Sequence, residues 1–308
     1  MQPSNPKTLL ILSDGKPGHL NQSIAFARLL GYDYAVCRVA FAVRFTKALS
    51  YLCDHLGIYT ASLFRVLDTL PQECCAVVSA GSATYYANRT LGRTLSVPSV
   101  AIMYPGGYSP GFDLIIAQEH DAPPVRDNIV TIPLNLSAPQ PLGLVRKEGS
   151  GPTVALIIGG PSRHYRMDPQ ELGKQLATVF SLFPGGDFLV TTSRRTPAEV
   201  EKMVEDGPFR YRVIASREKV NPIADFLAIA DYVFVTEDST SMISEAVSFG
   251  SARVEVLPLV RTGAHNKVAG MVASLAADGY LHLFDGTVGD CGRKFDLKPL
   301  LEGRFPCA

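Results

Sequence analysis

Tryptophan is absent from this chain of 308 residues, which removes the commonest platform for stacking a sugar ring and leaves 12 tyrosines and 15 phenylalanines to substitute. No apolar stretch approaches the ~20 residues that a membrane-spanning helix needs. The N-terminus, MQPSNPKTLLILSDG, turns polar too early for a signal peptide. The expected address is therefore cytoplasmic, extending to the inner face of the membrane. Excess charge of one sign is also missing: 29 basic residues against 29 acidic ones give a formal net charge of +0. No global field draws the chain to nucleic acid or to an anionic bilayer, so nucleic acid is excluded as a partner and any polyanion must be bound locally. The six cysteines, Cys37, Cys53, Cys74, Cys75, Cys291 and Cys307, show no CxxC spacing, so buried thiols are expected in place of a disulfide framework or a zinc site. No DxD motif is present, and neither a metal nor a cofactor is called for.

What is there is a globular composition, 46% hydrophobic and 19% charged, in a chain about twice the usual domain length. TLLILS (Thr8 to Ser13) is an apolar run, followed by a glycine-containing turn and a helical pattern ending at Gly31. The order repeats through YAVCRV, an amphipathic stretch from about Arg44 to Leu70, ECCAVVSAGSA with TYYANRTLGRTL, VPSVAIMY, FDLIIA and NIVTIPL. Short β-branched runs alternating with helical stretches predict a parallel sheet covered on both faces. Ser137 to Pro152 carries proline, glycine, serine and charge without apolar period, and reads as a linker. A second series then runs from TVALIIGGPS to LHLF, with helices expected around Gln170 to Leu182, Pro197 to Glu205, Pro222 to Ala230, Ser239 to Phe249 and Asn266 to Asp278. The prediction is an α/β protein of two Rossmann-like domains, 1–140 and 153–308, joined by 141–152, with their strand-end loops facing a cleft.

Those loops hold the candidate chemistry. Asp14, Gly15, Gly18, His19, Asn21 and Gln22 follow the first strand at a helix N-terminus, where free N–H groups and the helix dipole favour an anion and His19 is a candidate base. The plainer alternative is a tight turn capped by Asp14 or Asn21. Gly81 and Ser82 belong to a loop that ends another buried strand in small hydroxyl residues and opens a helix, a place for a phosphate or a substrate hydroxyl, with capping alone as the alternative. Gly159, Gly160, Ser162 and Arg163 open the second half, where two glycines admit close backbone approach. Arg194 and Arg195 follow the next strand and suit a diphosphate, although paired arginines in a loop are often only solvated. In DYVFVTEDSTSMISEA, the turn Ser239, Thr240, Ser241 and Met242 can hold phosphate oxygens while Glu245 accepts two ribose hydroxyl protons. A capping box with Ser241 or Thr240 as cap is the alternative.

On the motifs SDGKPGHLNQS, LIIGGPSRHYRMD, TTSRRTP, NPIADFLAIADYVFVTEDSTSMISEA and VEVLPL, which cover nearly the whole chain in that order, the sequence resembles the plant elongated-mitochondria fission proteins and their bacterial relatives. The wider resemblance is to nucleotide-sugar enzymes of the GT-B type, including the lipid-linked peptidoglycan N-acetylglucosaminyltransferase. That resemblance implies GT-B architecture, a first-loop histidine at His19, a glycine pair at Gly159 and Gly160, a ribose-binding acid at Glu245, and donor-sugar contacts from the stretch containing His265 and Asn266. The leading expectation is a metal-independent glycosyltransferase using a nucleotide-sugar donor, UDP or a related nucleotide, and a cell-envelope or lipid-linked glycan acceptor, with peripheral membrane contact. His19, or failing it Asp14, takes the acceptor proton. Two rivals stand beside it: a non-catalytic nucleotide-binding adaptor in membrane remodelling, and a nucleotide-sugar epimerase of the same fold.

Overall fold

The computed structural model describes residues 8–263 and 267–305. The chain divides into two compact units, 8–138 with 297–305, and 139–296. In the first, strands β1 (Thr8–Ser13), β2 (Asp33–Phe41), β3 (Phe64–Val66), β4 (Ala76–Ala80), β5 (Ser99–Ile102), β6 (Leu114–Gln118) and β7 (Ile129–Ile132) form one sheet in the order 3-2-1-4-5-6-7. All neighbours are parallel except β2 with β3. Helices α1 (Pro17–Leu30), α2 (Thr46–His55) and α3 (Tyr85–Leu95) accompany it. Because helices cover a parallel sheet on both faces, β4, β5 and β6 are buried at every position and mostly apolar, with Ser79, Ser99 and Gln118 their polar residues.

The amphipathic stretch expected over 44–70 is not one helix. α2 stops before Gly57, which sits at φ 70, and the chain then makes a short 3-10 turn and the edge strand β3. A left-handed residue cannot continue a right-handed helix, which is the reason for the break.

The second unit holds β8 (Thr153–Ile158), β9 (Tyr165–Arg166), β10 (Asp187–Thr192), β11 (Tyr211–Val213), β12 (Tyr232–Thr236), β13 (Arg253–Leu257), β14 (Val260–Arg261) and β15 (His282–Leu283). The main sheet is parallel in the order 11-10-8-12-13-15, and β9 with β14 forms a separate antiparallel pair. The helices are α4 (Pro169–Leu182), α5 (Ala198–Asp206), α6 (Ile223–Ile229), α7 (Thr240–Ser248) and α8 (Lys267–Ala277), each close to the stretch expected for it. Asp168 caps α4 by accepting the Gln170 N–H at 2.9 Å, with Pro169 at the first helical position, where its missing N–H costs nothing.

Two boundaries differ from the sequence reading. The stretch read as a linker is pinned to the second unit: buried Asp225 accepts the N–H groups of Leu142 at 3.1 Å and Leu144 at 2.9 Å. The C-terminal segment, expected in the second domain, groups with the first unit. There α9 (Lys298–Leu301) precedes Phe305, whose ring meets Phe26 edge-on at 5.5 Å and Tyr32 at 5.1 Å. Of the described cysteines, Cys37, Cys75 and Cys291 are buried and Cys53 and Cys74 partly so. No helix among the described residues is long and apolar enough to cross a membrane.

Strand order reverses between β1 and β4 in the first sheet and between β8 and β12 in the second. At such a switch point the loops leaving the strand ends diverge and leave a crevice, the general ligand position of open parallel sheets.

Candidate functional site

At the first switch point the loop after β1 is held by its own side chains. Gly15 takes φ 81 and donates its N–H to Ser13 Oγ at 3.1 Å, and Asp14 Oδ1 accepts the Lys16 N–H at 3.1 Å. Lys16 is the residue preceding α1 and makes no side-chain cap, so Asp14 ties the turn through the Lys16 N–H and does not cap the helix itself. Its other carboxylate oxygen lies 3.0 Å from His19 Nδ1. The Asp14 side chain is 5% exposed and that of His19 22%. A carboxylate can only accept, so Nδ1 carries the proton and Nε2 is left as the basic nitrogen.

The second loop of this crevice packs against the ring. Gly81 sits at φ +87, and a Cβ there would fall 2.3 Å from both Cε1 and Nδ1 of His19, so only glycine lets the imidazole lie against the loop after β4. Ser82 Oγ accepts from Lys47 Nζ at 3.0 Å, and its carbonyl accepts from Tyr108 at 3.1 Å. Gln22 is buried and its Oε1 accepts from Gln118 Nε2 at 3.1 Å, linking α1 to the end of β6, while Asn21 and Gly18 are exposed. The structure thus brings Asp14, His19 and Gly81 together. The roles of Lys47 and Gln118 could not be read from spacing, since they arrive from separate elements.

At the second switch point the glycine pair is bound up in the protein itself. The Gly159 N–H donates to Thr236 Oγ1 at 2.7 Å, the Thr236 hydroxyl donates to Asp238 Oδ1 at 2.7 Å, and the Gly160 N–H donates to Asp238 Oδ2 at 3.1 Å. Arg195 joins the same carboxylate at 2.7 Å and also donates to the carbonyls of Gly160 at 3.2 Å and Pro161 at 3.0 Å. A Cβ on Gly159 would fall 2.2 Å from Asp238 Oδ1, and one on Gly160 2.3 Å from the Arg195 carbonyl oxygen. The two glycines therefore let three strand-end loops close on one buried carboxylate. Asp238 and Thr236 were missed in the sequence, where the only signal was a polar T-x-D run at the end of a buried strand.

What these loops leave outward is charge and a helix end. Arg195 is 45% exposed along its side chain, Arg163 and Arg194 are exposed, and Arg194 has no ion-pair partner among the described residues. Arg163 Nε donates to His164 Nε2 at 2.8 Å, and Ser162 Oγ accepts the His164 N–H at 3.2 Å. α7 begins here, capped by Ser239 through the Met242 N–H at 3.4 Å, so the cap lies one residue before Thr240 and two before Ser241, and no capping box forms. Glu237 lies beneath, held by Arg261 at 2.6 Å and by the Tyr165 hydroxyl at 3.1 Å.

Glu245 sits about one turn into α7, partly buried, and its side chain makes no hydrogen bond or ion pair among the described residues. Burial without a compensating partner pushes its carboxyl up to about 7. His265 and Asn266 lie outside the described residues. Among the described residues, no three histidine, cysteine, aspartate or glutamate side chains cluster so as to hold a metal ion.

A family model described as mitochondrial fission ELM1 matches residues 17–304. The mitochondrial fission protein ELM1 of Arabidopsis thaliana is 25% identical over 90% of this chain and 84% of its own length. An uncharacterized protein of Rickettsia prowazekii (strain Madrid E) is 24% identical over 78% of this chain and 80% of its own. Among solved structures, the glycotransferase of kitacinnamycin superposes with a TM-score of 0.50 at 15% identity, covering 93% of this chain and 88% of that one. The fold is accordingly the α/β fold with mainly parallel sheets that GT-B glycosyltransferases share.

Proposed function

The chain belongs to the mitochondrial fission ELM1 family, and from that premise we propose that it is a metal-independent glycosyltransferase. It moves a sugar from a nucleotide donor, UDP or a related nucleotide, to a cell-envelope or lipid-linked glycan. The observation that carries this reading is the Asp14–His19 pair at the first switch point, 3.0 Å apart, with the ring packed on Gly81.

In this reading Asp14 fixes the imidazole so that Nε2 takes the proton of an acceptor hydroxyl as that oxygen bonds to the donor's anomeric carbon. The bond from that carbon to the diphosphate breaks, and the electron pair leaves with the nucleoside diphosphate. Arg163, Arg194, Arg195 and Ser162, with the N-terminus of α7 from Ser239 through Thr240, Ser241 and Met242, stabilise the charge that develops there. Gly159 and Gly160 contribute by keeping the loops closed, and Glu245 accepts the ribose hydroxyls. Gly15, Gly18, Asn21, Gln22, Gly81 and Ser82, with His265 and Asn266, are assigned to the acceptor or donor sugar.

The test is release of nucleoside diphosphate from nucleotide sugars offered with envelope glycans and lipid-linked acceptors. His19→Ala is expected to lower turnover by roughly 10²–10⁴-fold with donor affinity kept, because loss of a general base acts on the chemical step. Unchanged turnover in a folded His19→Ala protein removes His19 from the mechanism.

A further inference from the structure

Helix α2 turns both apolar and polar side chains inward and keeps an apolar stripe outside. Tyr51 and Cys53 pack on the core, and between them the inward face is polar: Ser50 Oγ lies 2.9 Å from the Tyr108 hydroxyl, and Asp54 is held by Arg89 at 2.5 Å, the Tyr59 hydroxyl at 3.0 Å and the Ser109 N–H at 2.7 Å. Its outward face is apolar. Phe45, Leu49, Leu52 and Leu56 recur at spacings of four, three and four residues, which is one stripe of a helix, and they are 82%, 45%, 58% and 63% exposed. Val43 at 58% and Ile58 at 50% extend the stripe beyond both helix ends. A helix on a soluble domain ordinarily turns such a stripe inward, and a contiguous exposed apolar face marks something that covers it.

Charge says what kind of partner fits. Across residues 43–67 the ionisable side chains are Arg44, Lys47, His55 and Arg65 on the basic side and Asp54 as the only carboxylate. The Asp54 side chain is 0% exposed and neutralised by Arg89. The solvent-facing charge of this segment is therefore entirely positive, in a chain whose net charge is +0. The next carboxylate along the chain, Asp68, is paired with Arg38 at 2.6 Å. An apolar ridge whose own segment carries only cations toward solvent matches the boundary between acyl chains and anionic headgroups, where the leucines and phenylalanine enter and the arginines stay at the phosphates.

We propose that the outward face of α2 docks this protein on an anionic lipid surface. The stripe is short, so apolar insertion alone gives weak partition and the headgroup charge is required as a second signal. The proposal belongs to the first unit alone and does not depend on sugar transfer.

Its test is co-sedimentation of the whole chain with vesicles of phosphatidylcholine, with and without phosphatidylglycerol. The expected result is partition into the anionic vesicles only, weakened by salt. Phe45→Ser with Leu52→Ser should reduce it by at least ~tenfold, and Arg44→Gln with Arg65→Gln should reduce it while leaving the stripe intact. Because none of these four side chains belongs to the inward network, the melting temperature should stay near wild type. Absence of binding to anionic vesicles, equal binding by the serine variant, or Phe45-dependent self-association without vesicle binding overturns the proposal.

Discussion

A carboxyl group packed into α7 with no partner among the described residues titrates late, and Glu245 rises from its ordinary 4.5 to about 7 for that reason. The folded state favours its neutral form. Unfolding releases it to ionise, so stability falls as pH rises from 4.5 and levels off above about 7. Glu245→Gln should accordingly stabilise the protein at pH above 7, by at most about 3 kcal/mol, and have little effect at acid pH, as denaturant melts at the two pH values would show. Nucleotide binding should move the other way, because only the carboxylate accepts two ribose hydroxyls. Glu245→Ala is expected to weaken nucleoside affinity by ~1–3 kcal/mol, and wild-type affinity should fall as pH drops below about 7. Unchanged calorimetric affinity in the variant would leave Glu245 a buried helix residue only.

At the scale of elements, each crevice depends on a glycine or a carboxylate that lets strand-end loops meet. Gly81→Ala places a methyl group 2.3 Å from the His19 ring at a backbone angle of +87°. It should cost ~1–3 kcal/mol in stability and displace the imidazole from Asp14. Gly18→Ala is the control, since nothing lies within 4 Å of its added carbon. Asp238→Ala strips the acceptor from the Gly160 N–H, the Thr236 hydroxyl and Arg195 together, and a loss of ~3–5 kcal/mol in chemical denaturation is expected. The strands and most helices were legible because buried β-branched runs and capped amphipathic stretches are local signals. Asp238 was not, because its bond to the Gly160 N–H closes a loop of 78 residues. α2 shows a second limit: apolar periodicity reveals that a helix has a face, but tertiary contacts decide where that face points.

For the whole molecule, the two Rossmann-like series were visible in the repeated strand and helix order, and the switch points follow from how those strands assemble. The return of 297–305 to the first unit was not visible, since it rests on Phe305 meeting Phe26 and Tyr32, residues at opposite ends of the chain. The proposed division of labour gives the second unit the nucleotide and the first unit the base. Hydrogen-exchange mass spectrometry of the full chain tests this most directly, using the UDP-, GDP-, CMP- or dTDP-sugar that raises its melting temperature most. Slowed exchange over residues 159–163, 193–196 and 239–245 is the expected result. A panel in which no nucleotide sugar binds, or protection confined to segments outside the second unit, would contradict it.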